Sequence, residues 1–266
     1  MRMEDLDHPK DKPGAAEGAI EDLRWLGFDW DGEYVQSKRK AFYREALEAL
    51  KSKGLVYPCV CSRKDVENAQ SAPHEGEQLH YPGICRGRFE TWEAALAFSG
   101  RTPCWRFRTE SGTRVAFDDI FAGRFEQDVA AKLGDFPLAR DEGGAGYTLA
   151  AVVDDAAMGV TEVVRGDDLL AATPAQILLQ RALGLSTPAY CHVPLVVGPD
   201  MRRLAKRHGD TRVAAFRERG MRPGAILGLL AASCGWAGSG EEVTLAELLP
   251  RFDLSAIPRS PFVYRG

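Results

Sequence analysis

Two short apolar runs, rich in β-branched residues, constrain the fold of this chain more than any other feature. They cover Leu149–Val153 and Val160–Val164, and each stops abruptly at charged residues, Asp154–Asp155 after the first and Arg165–Asp168 after the second. Continuous apolar runs of this length that end at polar residues are typical of strands buried on both faces of a parallel sheet. The two runs therefore predict strands of an α/β domain with a parallel sheet.

The residues that flank these runs are candidates for a binding site. Tyr147 precedes the first run and Arg165 ends the second. Ligands of open α/β sheets bind beyond the carboxyl ends of the strands, so both side chains could face one pocket. A guanidinium group suits a carboxylate or a phosphate, and a tyrosine adds a ring and one hydroxyl. The alternative is that both are ordinary strand-end residues, and these positions alone do not decide between the two.

The remaining apolar patterns predict helices and a further group of strands. Helices are predicted from Gly14 to about Gly27 and over Lys38–Lys53, Thr91–Phe98, Thr173–Leu183 and Pro223–Ala232. Ala189–Val197 predicts another buried strand, and a basic loop follows it at 201–208. Cys104–Arg108 and Val115–Phe117 predict strands of a hairpin region that is inserted before Tyr147.

The composition excludes several classes of protein. A net charge of -4 and a pI near 5.8 argue against a protein that coats nucleic acid, although a local basic patch remains compatible with them. No apolar run approaches the roughly 20 residues that a membrane span needs. The first residues contain no apolar core of a secretory signal. We therefore expect a cytoplasmic protein that does not associate with membranes.

Three of the six cysteines form a candidate metal site. Cys59, Cys61 and Cys85 offer three thiolates within a short window, one ligand short of a closed zinc site. The candidates for the fourth ligand are His74, His80, Tyr81 or a water, and histidine is favoured on chemical grounds alone. A metal would also give order to the polar segment 62–79, which has little apolar core. The alternative is three thiols without metal in a loop. The other cysteines, 104, 191 and 234, are expected to be small core residues.

Several motifs together resemble the glutamyl-type class I aminoacyl-tRNA synthetases. They are M-R-M-E-D-L-D at the start, W-D-G at Trp30–Gly32, Y-x-L-A-x-V-V-D-D at Tyr147–Asp155 and V-x-R-G-x-D-L at Val163–Leu169. Residues 203–207, R-L-A-K-R, lie where that family has its K-M-S-K-S or K-L-S-K loop. The resemblance covers nearly the whole chain.

A second motif resembles a short paralogous branch of that family, the glutamyl-Q tRNA(Asp) synthetases. The pattern C-x-C…Y-x-x-x-C is similar to their zinc motif, and it implies that Tyr81, rather than a histidine, joins Cys59, Cys61 and Cys85 around Zn2+. The strand motifs are shared with discriminating glutamyl-tRNA synthetases and do not separate the two branches. Only residues 209–266 follow the basic loop, too few for the helical anticodon-binding domains of the longer enzymes.

The resemblance implies a two-step reaction and a set of site residues. L-glutamate and ATP, with Mg2+, would give glutamyl-adenylate and pyrophosphate, and the glutamyl group would then pass to queuosine in the anticodon of tRNA(Asp). Glu4 would bind the α-ammonium group, Tyr147 and Arg165 would line the same pocket with Arg165 on a carboxylate, and Lys206 would stabilise charge on the ATP phosphates. Against this, Glu4 could be a solvated acid and Lys206 one more charge of an exposed loop.

The resemblance also implies the architecture. We expect a Rossmann-like catalytic domain at 1–56 and 134–210, a zinc-containing αβ insertion at 57–133, a helical segment at 211–266, and a monomer. The family's N-terminal R-F-A-P-S-P-x-G-x-L-H-x-G segment is not present, and Ala205 stands where the basic loop usually has serine. We therefore expect weak or no activity from the chain as given and full activity from a version extended upstream. Competing interpretations are a fragment of a discriminating glutamyl-tRNA synthetase and an inactive tRNA- or zinc-binding remnant.

Overall fold

The computed structural model describes residues 1–6, 14–69, 80–140, 144–204 and 211–265. Its strands are β1 (Arg2–Met3), β2 (Tyr34–Val35), β3 (Val56–Cys59), β4 (Cys104–Phe107), β5 (Arg114–Asp119), β6 (Gly123–Asp128), β7 (Phe136–Ala139), β8 (Glu162–Gly166), β9 (Ala189–Val193), β10 (Val196–Val197) and β11 (Phe262–Val263). Its α-helices are α1 (Ala15–Trp25), α2 (Lys40–Ser52), α3 (Arg63–Asn68), α4 (Trp92–Ser99), α5 (Val129–Lys132), α6 (Tyr147–Ala157), α7 (Thr173–Leu183), α8 (Val213–Glu218), α9 (Pro223–Ser233) and α10 (Leu245–Leu248).

The strands form both parallel and antiparallel pairs. β1 pairs with β2, β8 with β9 and β10 with β11, all in parallel. β3, β4 and β7 form an antiparallel sheet, and β5 and β6 form an antiparallel hairpin. In the β8–β9 pair, Arg165 lies opposite His192. The expected strand at Ala189–Val197 is present as β9 and β10, and the run Val160–Val164 leads into β8.

The first apolar run is a helix, and the prediction of a strand at Leu149–Val153 is wrong. These residues lie inside α6, in which every residue from Leu149 to Asp154 is buried. A helix that is buried on all sides shows no amphipathic period, so its sequence cannot be told from that of a buried strand. Tyr147 is therefore the first residue of a helix and does not lie at the end of a strand.

The five predicted helices are present as α1, α2, α4, α7 and α9, and they begin and end close to the predicted positions because local signals set helix ends. The Thr91 side chain accepts a hydrogen bond from the backbone of Ala94 and caps α4. Thr244 and Glu247 form a reciprocal capping box at the start of α10. α7 begins with Thr173–Pro174, where the missing N–H of proline costs nothing, and it ends at Gly184 in the left-handed region.

Two of the hydrophobic clusters position the site. The larger joins α2, the sheet β3–β4–β7, α6 and α7 through residues such as Leu50, Phe107 and Leu149. A smaller one joins the β5–β6 hairpin to α7 and β9 through Val115, Ile177 and Tyr190. The hairpin is thereby fixed against the β8–β9 pair. Within the described ranges, the helices are too short or too polar to cross a lipid bilayer.

Candidate amino-acid site and metal centre

Arg165 is held along one edge of its guanidinium group. Its Nε donates to His192 Nε2 at 3.0 Å, and its Nη2 donates to Thr173 Oγ1 at 2.7 Å and to Gln176 Oε1 at 2.8 Å. The guanidinium carbon lies 5.3 Å from the centre of the Tyr190 ring. Among the described residues, Nη1 has no protein partner. This part of the fork is free to donate to a ligand.

Tyr190 connects Arg165 with two further side chains. The Tyr190 phenol is buried and accepts a hydrogen bond from Gln180 at 3.0 Å. Burial raises the pKa of Tyr190, and the neighbouring Asp155 and Tyr147 act in the same direction, whereas Gln180 and Arg165 lower the pKa. Tyr147 is 49% exposed, so its side chain is accessible from solvent at this point. Arg165 thus lies against the Tyr190 ring, and Tyr147 is within electrostatic range of the Tyr190 hydroxyl.

Glu4 is connected to α6 through Arg2. The Arg2 guanidinium contacts Glu4 Oε1 at 2.9 Å and Asp155 Oδ1 at 2.5 Å. Asp155 ends the V-V-D-D motif of α6, so the ion pairs join the first strand of the chain to the helix that carries Tyr147. Glu4 is exposed, and only its Oε1 contacts Arg2.

The neighbouring Asp154 anchors α6 to α2 from a fully buried position. Its oxygens accept hydrogen bonds from Gln36 Nε2 at 2.9 Å, from Arg39 Nε at 2.6 Å and from the Tyr43 hydroxyl at 2.8 Å. A buried carboxylate with three donors is a satisfied structural ion rather than a reactive group. This contact fixes the helix from which Tyr147 and Asp155 project.

Lys206 lies outside the residues that the structure describes, so its predicted role stays a prediction. The described part of the basic loop is 201–204, in which Arg203 Nη1 contacts Asp168 Oδ2 at 2.9 Å. Arg203 also forms an isolated bridge with Val197 at the end of β10. The described part of the loop therefore lies close to the turn that follows Arg165.

The structure brings Cys59, Cys61 and Cys85 together with Tyr81. The three sulfur atoms lie within 4.8 Å of one another. The Tyr81 hydroxyl is 3.2 Å from Cys59 Sγ and 3.7 Å from Cys61 Sγ. It also accepts a hydrogen bond from the backbone N–H of Cys85 at 2.8 Å. His80 Nε2 instead lies 3.1 Å from the carbonyl oxygen of Ala130, and His74 is outside the described residues.

Local chain geometry explains why these groups converge. Cys59 ends β3, and Tyr81 forms an isolated bridge with Gly134. Gly134 has a φ of +67°, and a Cβ at this position would collide with the carbonyl oxygen of Tyr81. Glycine therefore permits the close approach of the two backbones. The ring of Tyr81 is covered on one side by the Arg106 guanidinium, 3.8 Å from the ring centre.

The donor set fits a zinc ion. A hydrogen bond with Cys104 lowers the pKa of Cys59 to about 4, and contacts with Tyr81 and the charge of Arg106 act in the same direction. Burial raises the pKa of Cys61 to about 12, and the charge of Cys59 adds to this. A second thiolate without a cation is therefore unfavourable, and a divalent metal would offset the repulsion. Three thiolates and a phenolate oxygen suit tetrahedral Zn2+.

Sequence reasoning missed the residues that hold Arg165. His192 is a polar residue in an apolar strand, Asp119 ends β5, and Thr173 is predicted only as the first residue of a helix. Tyr190, in the same strand, was not identified either. A polar residue within a buried run is the one signal that could have indicated His192.

Comparisons with known proteins give the family. Residues 1–259 match the family described as tRNA synthetases class I (E and Q), catalytic domain. The chain is 46% identical to the glutamyl-Q tRNA(Asp) synthetase of Symbiobacterium thermophilum, with 98% of this chain and 84% of that protein covered. It is 45% identical to the protein of the same name from Rhodopirellula baltica, with 99% and 85% covered.

More distant relatives are longer. The chain is 37% identical to the glutamate–tRNA ligase of Aquifex aeolicus, with 99% of this chain and 56% of that protein covered. The crystal structure of a glutamate tRNA ligase from Elizabethkingia meningosepticum superposes with a TM-score of 0.80 at 23% identity, over 99% of this chain and 59% of that one. The fold is thus the class I synthetase catalytic fold, with mixed α/β sheets. The chain belongs to the class I tRNA synthetase (E and Q) family, and its relatives at 45–46% identity are ligases named glutamyl-Q tRNA(Asp) synthetase.

Proposed function

We propose that the chain activates L-glutamate with ATP and transfers the glutamyl group to queuosine in the anticodon of tRNA(Asp). The observation that carries the proposal is Arg165, a half-buried cation whose described partners are all neutral and whose Nη1 has no partner among the described residues. The names of the relatives at 45–46% identity support the choice of substrate.

The proposed activation step assigns separate tasks to the two ends of glutamate. The α-carboxylate must attack the α-phosphorus of ATP and displace pyrophosphate, so it cannot be neutralised by a tight bidentate pair. Arg165 therefore binds the side-chain carboxylate, which distinguishes glutamate from glutamine. Glu4 pairs with the α-ammonium group, and Tyr147 lines the pocket between the two ends.

The proposed role of Lys206 is electrostatic. Its ammonium group would stabilise the negative charge that develops on the phosphates of ATP, which enters as a complex with Mg2+. No covalent bond to the lysine is involved. Arg203, anchored to Asp168, holds the preceding part of the loop beside the site.

Zn2+, held by Cys59, Cys61, Cys85 and Tyr81, is proposed to have a structural role. The surrounding cluster consists of a few apolar side chains, among them Tyr57 and Val66. When bound, the metal would supply the cross-link that such a small core lacks. The residues of the amino-acid site lie on other elements, so the metal takes no part in the activation step.

The experiment that tests the proposal compares three tRNA substrates. Radiolabelled glutamate and ATP are supplied with tRNA(Asp) that contains queuosine, with tRNA(Asp) that lacks it, and with tRNA(Glu). Parallel samples of queuosine-containing tRNA(Asp) and of tRNA(Glu) end in a nucleotide without 2′- and 3′-hydroxyls, which removes the usual acceptor.

The proposal predicts label on queuosine-containing tRNA(Asp) whether or not its 3′ end is blocked, and none on tRNA(Asp) without queuosine. Label on tRNA(Glu) that a 3′ block abolishes would instead make the chain a catalytic part of a glutamyl-tRNA synthetase, the activity named for the Aquifex relative. Binding of tRNA with no consumption of ATP would contradict both.

A further inference from the structure

The proton positions around Arg165 follow from the chemistry of its neighbours. An arginine can only donate, so His192 Nε2, which lies 3.0 Å from Arg165 Nε, must accept. The proton of the neutral imidazole is then on Nδ1, which lies 2.6 Å from Asp119 Oδ2. A carboxylate accepts this proton readily. The three side chains are thus joined in one direction, with Arg165 donating to His192 and His192 donating to Asp119.

Asp119 is itself fixed in position by backbone hydrogen bonds. Its Oδ1 accepts hydrogen bonds from the backbone N–H groups of Phe121 at 3.1 Å, Ala122 at 2.7 Å and His192 at 3.0 Å. Burial acts to raise the pKa of Asp119, but the hydrogen bonds from Ala122 and His192 outweigh it and the pKa is lowered. The Asp119 and His192 side chains have no exposed surface.

The opposite side of the guanidinium group is fixed from α7. The Thr173 hydroxyl lies 3.1 Å from the carbonyl oxygen of Leu169 and 3.1 Å from His192 Nε2, both of which accept, so its oxygen can accept from Arg165 Nη2. Gln176 accepts a second hydrogen bond from Nη2. Nε and Nη2 are therefore used within the protein, and the direction of Nη1 is determined before any ligand binds.

We infer that Asp119 and His192 are positioning residues for the amino-acid substrate, which hold Arg165 so that its Nη1 group receives the side-chain carboxylate of glutamate. The inference rests on the proposed function for the identity of the ligand. It adds that the selectivity for glutamate depends on a hairpin of the predicted insertion, because Asp119 is the last residue of β5.

The arrangement avoids a penalty that a direct ion pair would bring. A carboxylate in contact with Arg165 would compete with the substrate for the same charge. A neutral imidazole accepts the hydrogen bond without neutralising the cation. Asp119 fixes the tautomer of His192 through the hydrogen bond with Nδ1 and does not itself contact Arg165. Loss of a hydrogen bond to a charged group costs about a 10- to 100-fold change in an equilibrium constant.

Two substitutions of His192 separate positioning from simple folding. In His192→Gln, the longer amide can place an oxygen near the position of Nε2 and accept from Arg165. In His192→Asn, the shorter amide can donate to Asp119 but has no atom at the position of Nε2. Asp135→Asn is the matched control, because Asp135 is also a buried carboxylate that accepts from a backbone N–H, that of Thr109, but it belongs to a different network.

The readouts are the affinity for L-glutamate by calorimetry, the KM for ATP, and the Nε–H signal of Arg165 by NMR. His192→Asn is expected to weaken glutamate binding about 10- to 100-fold, to leave the KM for ATP within about twofold, and to expose the Arg165 Nε–H to solvent exchange. His192→Gln should restore most of the affinity, and Asp135→Asn should leave it unchanged.

The experiment distinguishes a failure of the positioning role from a failure of the proposed function. If the unsubstituted protein binds glutamate but His192→Asn does not weaken that binding, the positioning role is overturned and the proposed function stands. If the unsubstituted protein shows a protected Arg165 Nε–H but binds no glutamate, the proposed function is overturned, and the substrate part of the inference with it. Equal losses for glutamate and ATP in His192→Asn would reduce its role to folding and contradict the inference.

Discussion

Arg165 differs from Arg39 and Arg86 in the partners that hold it. Arg39 contacts the buried carboxylate of Asp154, and Arg86 contacts that of Asp135. These arginines have their charge compensated within the protein, as structural ion pairs do. Arg165 is fixed by an imidazole, a hydroxyl and an amide, and none of these described partners compensates its charge. At the scale of single residues, this is the strongest indication of a site for an anionic ligand.

The protonation of His192 gives the site a pH dependence. Burial lowers the pKa of His192 from its ordinary value of 6.5, the charge of Arg165 acts in the same direction, and Asp119 and Asp167 oppose it. The imidazole is therefore neutral at neutral pH. Its protonation removes the acceptor for Arg165 and places a second cation beside it. The contribution of His192 to folding stability depends on pH in the same direction. It is fully present above pH 6.5, the ordinary pKa of histidine, and it is lost as the pH falls toward the lower pKa of His192 in the folded protein.

We predict that glutamate affinity is constant at neutral pH and falls about tenfold or more as the pH drops through the folded-state pKa of His192. The side-chain carboxyl group of free glutamate ionises at about pH 4.3, and any effect of its titration is common to the unsubstituted protein and to His192→Gln. Calorimetric titrations at a series of pH values measure the effect, and His192→Gln serves as the control that should lack it. An unchanged affinity throughout that range in the unsubstituted protein would contradict the assigned tautomer.

At the scale of elements, α6 shows where local sequence is ambiguous. Its apolar residues are buried without interruption, so neither the helical nor the strand period is visible in them. The tertiary contact that favours a helix is Asp154, whose donors lie on the segment 36–43, far away in the sequence. A pattern of adjacent residues cannot reveal partners that distant.

We predict that Asp154→Ala lowers the free energy of unfolding by about 3–5 kcal/mol, because it leaves Arg39 without its buried counter-ion. Urea unfolding followed by circular dichroism measures the change. Asp118→Ala is the matched control, since Asp118 and its partner Arg124 are both exposed, and surface pairs of this kind contribute about 0–1 kcal/mol. Equal effects of the two substitutions would contradict an anchoring role for Asp154.

The cluster of Cys59, Cys61 and Cys85 is a second element-scale feature, and its grouping could be predicted from the sequence. The spacing of the three thiols indicated a site, and the family motif, not the chemistry of the ligands, pointed to Tyr81. The structure places the Tyr81 hydroxyl against Cys59 and Cys61, while the binding of a metal, and its identity as zinc, stay predictions.

We predict about one zinc ion per chain in the unsubstituted protein and close to none in Cys85→Ser, because three ligands are too few for a closed structural site. Tyr81→Phe should bind zinc more weakly, and Cys234→Ser should retain it fully. Elemental analysis of protein purified without chelators gives these values. Zinc-independent thermal stability, with the same unfolding temperature before and after chelation, would argue against a structural metal.

At the scale of the whole molecule, the sequence predicted the family and most of the elements but not the support of the site. Motifs of adjacent residues identified Tyr147, Arg165 and the thiols. The roles of Asp119, His192 and Thr173 could not be predicted from such motifs, because these residues meet only through the packing of the β5–β6 hairpin on α7 and β9. The domain boundaries stay a prediction, yet this hairpin and the C-terminal Arg259, which contacts Phe121 beside Asp119, join distant parts of the chain at one point.

The central claim is that Arg165 binds the glutamate that the protein activates, and amino-acid-dependent exchange of pyrophosphate into ATP tests it most directly. The exchange is measured with glutamate and with glutamine, for the unsubstituted protein, for Arg165→Lys and for the exposed control Arg24→Lys. We predict weak exchange, with glutamate only, a further loss of about tenfold or more in Arg165→Lys because lysine lacks the planar fork, and no change in Arg24→Lys. Glutamate-dependent exchange that Arg165→Lys leaves intact would contradict the account.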